Sequence, residues 1–359
     1  MNARIIAVLA APLALLAAPL ALLACLWPAV ALAQGFGGLG DDASGFETPK
    51  PGGALTFPAD HGAHKNFRTE WWYVTANLKG ADGASYGAQW TLFRHALEPG
   101  AGKGWDDRTI WMGHAAVTSA TEHLFAQTMA RGGVGQAGVE AAPFQAFIDD
   151  WRFEANDTLA KASLSARSAD FSYDLDLSSD RPLVLQGENG YSRKSEQGQA
   201  SYYYSQPFFT VEGTLTIHGR ETKVTGRAWM DREWSSQSLA PDQTGWDWFS
   251  MHLSSGEKLM LYRIRGAAPY LLGNWISPDG ATQPLAGNDI SLEPLTQTAV
   301  GARKIPTRWR VRVKSRGFDV ETTPLNVQSW MGTTIPYWEG PISFAGSQSG
   351  VGYLEMTGY

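Results

Sequence analysis

Thr69-Glu70-Trp71-Trp72-Tyr73-Val74-Thr75-Ala76-Asn77-Leu78 and Thr244-Gly245-Trp246-Asp247-Trp248-Phe249-Ser250-Met251-His252-Leu253 read as two copies of one strand. Laid over each other, Thr, Trp, an aromatic, a hydroxyl, an amide or imidazole, and Leu fall in register. Each copy runs into a Gly-containing turn, Ala81-Asp82-Gly83 or Ser254-Ser255-Gly256. A second strand follows each turn, Trp90-Thr91-Leu92-Phe93-Arg94 or Leu259-Met260-Leu261-Tyr262-Arg263. Two hairpins with the same face chemistry predict two related β-halves. On a strand, alternate side chains share a face. Trp71, Tyr73, Thr75 and Asn77 therefore oppose Trp72, Val74, Ala76 and Leu78, and Trp246, Trp248, Ser250 and His252 oppose Asp247, Phe249, Met251 and Leu253. Neither face is plainly solvated. A packed layer on one side and a ligand cavity lined by aromatics with polar tips on the other would produce this pattern. A filled core in which the tips satisfy one another is the plainer alternative.

Outward from the hairpins the same period recurs. Phe171-Ser172-Tyr173-Asp174-Leu175-Asp176-Leu177 and Arg308-Trp309-Arg310-Val311-Arg312-Val313-Lys314 alternate apolar and polar residues, the signature of a half-buried strand. No amphipathic helical run spans three turns. Short strands cut by Gly, Asp, Asn and Pro predict an all-β sandwich or barrel.

The first 33 residues read as a targeting segment. Arg4 precedes a long apolar run from Ile5 through Val30, and Ala31-Leu32-Ala33-Gln34 offers small residues at both recognition positions. That is a secretory signal, with cleavage expected after Ala33 and export to the periplasm. Leu22-Leu23-Ala24-Cys25 offers the alternative of a lipoprotein anchored at Cys25, the single cysteine of the chain. After cleavage at Ala33 no disulfide can form, so packing must supply the stability. Residues 34–54, rich in Gly, Pro and Ala without periodicity, read as a flexible leader. The net charge of −6 argues against a nucleic-acid partner, which calls for a basic patch.

Several longer motifs carry a resemblance. Phe57-Pro58-Ala59-Asp60-His61-Gly62-Ala63-His64 with Phe67-Arg68-Thr69-Glu70-Trp71-Trp72-Tyr73 comes first. Gly226-Arg227-Ala228-Trp229-Met230-Asp231-Arg232-Glu233-Trp234 and Gly245-Trp246-Asp247-Trp248-Phe249 follow. The last are Tyr337-Trp338-Glu339-Gly340 and Gly352-Tyr353-Leu354-Glu355-Met356-Thr357-Gly358-Tyr359. In this order they resemble the AttH / carotenoid 1,2-hydratase (CrtC-like) family. The resemblance implies two lipocalin-like β-barrel or sandwich domains, 55–236 and 237–359, with cofactor-independent chemistry or binding on a lipophilic ligand. It places Asp231 at the family's acid and Trp229 where the carotenoid hydratases carry Tyr. Tyr202 and Tyr204 fall where those enzymes carry His and Trp. These departures bear on the substrate more than on the fold.

Asp231 is the leading catalytic candidate from its surroundings as well. Alternation places Arg227, Trp229 and Asp231 on one face. A carboxyl beside Trp in an apolar cavity has its charged form disfavoured, and stays protonated to act as a general acid on a C=C bond. Trp229, Trp246 and Trp248 offer faces to a carbocation. A salt-bridged turn at Asp231-Arg232-Glu233 is the structural alternative. Trp71, Tyr73, Asn77, Trp246, Trp248, His252 and Arg94 are the expected ligand-binding residues. Arg94 and Arg263, taken as equivalent in the repeat, call for carboxylate partners such as Glu70, Asp231 or Glu233. His61, His64 and His114 lack a metal-ligand spacing. Asp60, His61, His64, Arg68 and Glu70 read as a polar network at one barrel end. No nucleotide-binding or nucleophilic-serine motif occurs.

The expectation is a cofactor-free hydratase on an isoprenoid or polyene. Its rivals are a periplasmic carrier of a lipophile serving an ABC-type export permease, and an isomerase or pericyclase in the same cavity.

Overall fold

The period-two runs form strands throughout. The structure, a computed structural model, describes residues 43–100, 102–237 and 239–359. The segment 1–33, with the expected cleavage site and Cys25, lies outside the described residues. In the first half the strands are β1 (Thr69–Gly80), β2 (Ser85–Ala96), β3 (Thr109–Thr118), β4 (His123–Arg131), β5 (Ala137–Ala141), β6 (Phe144–Ile148), β7 (Trp151–Ala155), β8 (Lys161–Arg167), β9 (Phe171–Ser178), β10 (Val184–Leu185), β11 (Tyr191–Arg193), β12 (Ala200–Ile217) and β13 (Arg220–Ser235). In the second they are β14 (Gly245–Leu253), β15 (Lys258–Arg265), β16 (Tyr270–Ile276), β17 (Thr282–Leu285), β18 (Ile290–Val300), β19 (Arg303–Val313), β20 (Phe318–Pro324), β21 (Trp330–Met331), β22 (Tyr337–Gly346) and β23 (Gly350–Thr357).

One sheet runs β4-β3-β2-β1-β13-β12-β9-β8-β7-β6-β5, with β10 and β11 also on β12. The other runs β17-β16-β15-β14-β23-β22-β20-β19-β18, with β21 on β22. Each curls into a near-barrel, and the fold is all-β. Both sheets share one device: the opening hairpin is flanked by the last strand of its own half. The orders β2-β1-β13-β12 and β15-β14-β23-β22 are the same arrangement twice.

The hairpin registers also match. Trp71 pairs with Phe93 and Leu78 with Tyr86; Trp246 pairs with Ile264 and His252 with Lys258. With Trp71 laid on Trp246, Arg94 falls on Arg265, not on Arg263. The sequence overlay of the second strands was therefore two residues out, because the strands of the first hairpin run two residues further before a turn of the same length.

The faces sort as alternation demands. Trp72, Val74, Ala76 and Leu78 enter the core of the first sheet with Leu92, Phe153 and Met230. Phe249, Met251 and Leu253 enter that of the second with Trp309 and Leu354. Burying each large apolar side chain contributes roughly 1.5–3 kcal/mol, so each half is stabilised by an apolar core of its own. The opposite faces meet between the halves. Tyr73, Tyr203, Trp229, Trp248, Tyr262 and Tyr353 form a third cluster there. Close approach is needed: a Cβ at Gly87 would strike the Tyr353 hydroxyl, which donates to the Ala88 carbonyl across 3.2 Å.

Buried ion pairs close one end of the first sheet. Glu70 accepts from Arg94 (2.9 Å) and from Arg232, and its carboxylate also meets His64, whose other ring nitrogen reaches Asp60 at 3.2 Å. Burial alone would raise the Glu70 carboxyl. The Arg232 charge, the His64 hydrogen bond and the Arg94 charge outweigh it and hold the group well below the usual carboxylate range. In the second sheet Asp247 plays the same part, accepting from both Arg263 and Arg265 at 2.7 Å. Residues before β1 lie against this end: the Lys50 amide donates to the Tyr202 hydroxyl, and the Glu47 amide to the Asn66 carbonyl.

Candidate active site

One cavity lies between the two sheets and takes side chains from both halves. From the first half it is lined by Trp71, Tyr73, Phe93, His114 and Asp231; from the second by Trp246, Trp248, Tyr262, Tyr337 and Glu355. It spans about 530 Å3 counted to its open mouth, a slot with walls from both halves.

Asp231 sits mid-strand in β13, opposite Tyr73 on β1 and Ser205 on β12. It is 3% exposed. The Tyr203 hydroxyl donates to Oδ2 at 2.7 Å; the Ser205 hydroxyl and the Trp229 indole N–H donate to Oδ1 at 2.5 and 2.7 Å. Burial pushes the carboxyl up to about 7. The three donors oppose that rise, and the Glu233 charge adds to it. A carboxyl so placed holds a proton near neutral pH and can release it. Asp231-Arg232-Glu233 is not a salt-bridged turn: the strand continues to Ser235, Arg232 points to Glu70 on the other face, and Glu233 pairs with Lys194 at 2.8 Å.

The second half supplies a matching acid. Glu355 on β23 accepts from the Trp246 indole N–H at 2.5 Å. Burial raises its carboxyl to about 7, against the Trp246 hydrogen bond and with the charges of Asp231 and Glu233. Beside it on β22, Glu339 is fully enclosed and accepts from the Tyr73 hydroxyl at 2.5 Å. Burial and the Glu355 charge drive its carboxyl well above the ordinary value.

Of the residues singled out from sequence, Asp231, Trp71, Tyr73, Trp246 and Trp248 line the cavity, and Trp229 braces Asp231 from behind. Tyr202 and Tyr204 do not reach Asp231. They stand on the opposite face of β12, Tyr202 against the Lys50 backbone and Tyr204 bonded to His61 at 2.7 Å. The intervening Tyr203 and Ser205 take the positions expected of them, since a shift of one residue exchanges the faces of a strand. Arg94 is likewise on the inner face, bound to Glu70; its neighbour Phe93 lines the cavity. Asn77 donates to the Gly352 carbonyl at 2.9 Å, and His252 packs on Trp229 with ring centres 5.9 Å apart; both belong to the contact between the halves. His61, His64 and His114 go to separate partners: Tyr204, Glu70 and Tyr337. Sequence reasoning missed Tyr203, Ser205, Tyr262, Tyr337 and Glu355. Glu355, Tyr337 and Tyr262 carried a signal, since they lie in quoted motifs and strands; Tyr203 and Ser205 lie in none.

Two curled β-sheets with a carboxyl-bearing slot between them make up the all-β, two-half fold. The chain belongs to the AttH-like family, whose profile matches residues 48–359. Its structure is similar to that of a putative AttH from Nitrosomonas europaea, with 34% identity, a TM-score of 0.77, and coverage of 88% of this chain and 100% of that one. It also resembles the fold of kievitone hydratase from Nectria haematococca, at 15% identity and a TM-score of 0.65, covering 88% of this chain and 97% of that one. A search of curated proteins by sequence returns no match.

Proposed function

We propose that this protein is an exported, cofactor-independent hydratase that adds water across a C=C bond of an isoprenoid-type lipophile. The observation that carries the reading is Asp231: an enclosed carboxyl, raised to about 7, held by three donors on the wall of an aromatic slot. Its proton goes to the less substituted alkene carbon, leaving a tertiary carbocation. Trp71, Trp246 and Trp248 line the slot beside that cation, and a ring facing it contributes an attraction of about 0.5–2 kcal/mol. Water adds, and a proton returns to carboxylate, so the site is restored and no electrons are exchanged. The shared fold with a protein named as a hydratase agrees with this chemistry, and the aromatic walls of the slot suit an apolar alkene.

The experiment compares wild type with Asp231→Asn, which keeps much of the shape but has no acidic proton. A prenylated phenol and geraniol serve as probes, with hydrated product measured by mass spectrometry and affinity by tryptophan quenching. Turnover should fall about 10²–10⁴-fold, the usual contribution of a positioned acid, while affinity changes little. Full activity in the variant removes Asp231 from the mechanism. Tight binding by wild type without product favours a carrier that passes a lipophile to an export permease.

A further inference from the structure

The two opening hairpins share a register from Trp71 and Trp246 onward, so the rungs around these residues have counterparts in the other half. Tyr73 corresponds to Trp248. On the flanking last strand, Tyr73 faces Asp231 and Trp248 faces Glu355. One strand further on, Asp231 faces Ser205 and Glu355 faces Glu339. Tyr203, the donor to Asp231, faces Glu233; its counterpart Tyr337 faces Thr357 and bonds Glu339. The repeat thus brings two equivalent carboxyls, one from each sheet, into one slot.

We propose that Glu355 is the second proton-transfer residue of the site: its carboxylate takes the proton of the attacking water while Asp231 protonates the alkene from the other sheet. The inference rests on the hydratase reading above and names a partner for its acid. The slot is lined by both groups, and the charge of Asp231 raises the Glu355 carboxyl. Two such carboxyls hold protons as a pair, and the first ionisation disfavours the second. One protonated and one ionised group is the state an acid and a base working together require. Asp231 has three donors and Glu355 has Trp246, so both oxygens can hold charge in place. Glu339 lies behind Glu355 and is bonded to Tyr73 and Tyr337. Glu233 and Tyr262 complete the ionisable groups around it.

The step balances. The O–H bond of Asp231 breaks and a C–H bond forms. The water oxygen then bonds to the cationic carbon and its proton passes to Glu355. Asp231 ends ionised and Glu355 protonated, and exchange with solvent at the open mouth resets both. Because the proton and the water come from different sheets, neither carboxyl has to serve both steps from one side of the alkene.

The test uses the whole protein and the same two probes, with Glu355→Gln and Glu355→Asp beside wild type and Asp231→Asn. Glu355→Gln should lower kcat at least 100-fold with KM nearly unchanged, and Glu355→Asp should recover part of that loss. Infrared titration of the carboxyl band, which needs no substrate, should show Asp231 ionising at lower pH in Glu355→Gln. Turnover within threefold of wild type in Glu355→Gln, with Asp231→Asn still impaired, overturns the role of Glu355 and leaves the hydratase reading standing. No product from wild type overturns both. An Asp231 titration that does not move in a folded Glu355→Gln protein removes the coupling on which the pair depends.

Discussion

Trp248 donates its indole N–H to the Tyr203 hydroxyl across 3.2 Å, and that same hydroxyl donates to Asp231. The bond crosses from the second sheet to the first, so the acid is held in place by both halves. Tyr203→Phe removes one donor from Asp231 and leaves the Trp248 N–H buried without its acceptor. The expected cost is about 1–3 kcal/mol, the penalty of one unsatisfied buried group, with the Asp231 carboxyl moving further up. Tyr202→Phe loses only two exposed bonds, to the Lys50 amide and carbonyl, and should change stability by less than about 0.5 kcal/mol. Urea denaturation of the two variants checks the contrast. Equal losses would put the two tyrosines on the same footing, against the faces of β12.

Trp248→Ala acts through shape rather than protonation. The ring is 3% exposed, packs edge-on against Tyr73 at 5.4 Å and against Trp229 at 6.3 Å, and forms one wall of the slot. Truncating it should cost about 3–5 kcal/mol of stability and weaken binding of the prenylated phenol at least tenfold, whether the protein is enzyme or carrier. Fluorescence titration and thermal melts measure both. Unchanged affinity would place the ligand elsewhere.

Removing one partner from the buried network at the end of the first sheet should be costly. Glu70→Gln leaves Arg94 and Arg232 charged and enclosed without their carboxylate. Breaking such a pair costs about 3–5 kcal/mol. Glu321→Gln, which loses the exposed partner of Arg308, should cost less than about 1 kcal/mol. Denaturation midpoints separate the two, and similar losses would mean that the Glu70 network contributes no more than a surface pair.

Much of this arrangement is written in local periodicity. Alternation was enough to put Trp72 and Phe249 inside and Trp71 and Trp248 outside, and the repeated Trp-aromatic pattern announced two matching hairpins. The partners of Asp231 were not legible in that way. Tyr203 and Ser205 reach it only because β12 pairs with β13 in one register, shifted by an irregularity between Gln206 and Phe209. Glu355 and Tyr337 come from the far end of the chain, and no spacing rule relates them to residue 231. The position of the cavity was hidden too, since a face of aromatics with polar tips looks the same whether it lines a barrel or a seam between two barrels. The resemblance that pointed to Tyr202 and Tyr204 missed by one residue, which on a strand is the whole distance between the two faces.

The protonation of Asp231 also sets a pH dependence of stability. Its folded carboxyl is raised from 3.8 to about 7. A raised group contributes stability that is fully present below the unfolded value and is lost as pH rises through the folded one. Between about pH 4 and 7 the folded state holds a proton that the unfolded chain has released, so wild type loses stability at up to about 1.4 kcal/mol per pH unit from this group. Above about 7 the loss is complete and the dependence flattens. Glu355 acts in the same sense and less strongly, since it is partly open to solvent through the mouth of the slot. Buried His61 and His95 and half-buried His123 act in the opposite sense, because desolvation lowers each of them to about 4 and acid must then charge a desolvated ring. The total curve mixes these contributions, whereas the difference between Asp231→Asn and wild type isolates one. Asn cannot ionise, so the stability of the variant relative to wild type should climb from pH 4 to 7 by up to about 4 kcal/mol and then level off. Urea denaturation at a series of pH values gives this difference directly. A difference that stays flat from pH 4 to 8 would mean that Asp231 ionises in the folded protein as it does in the unfolded chain, and the acid on which the hydratase reading rests would be lost.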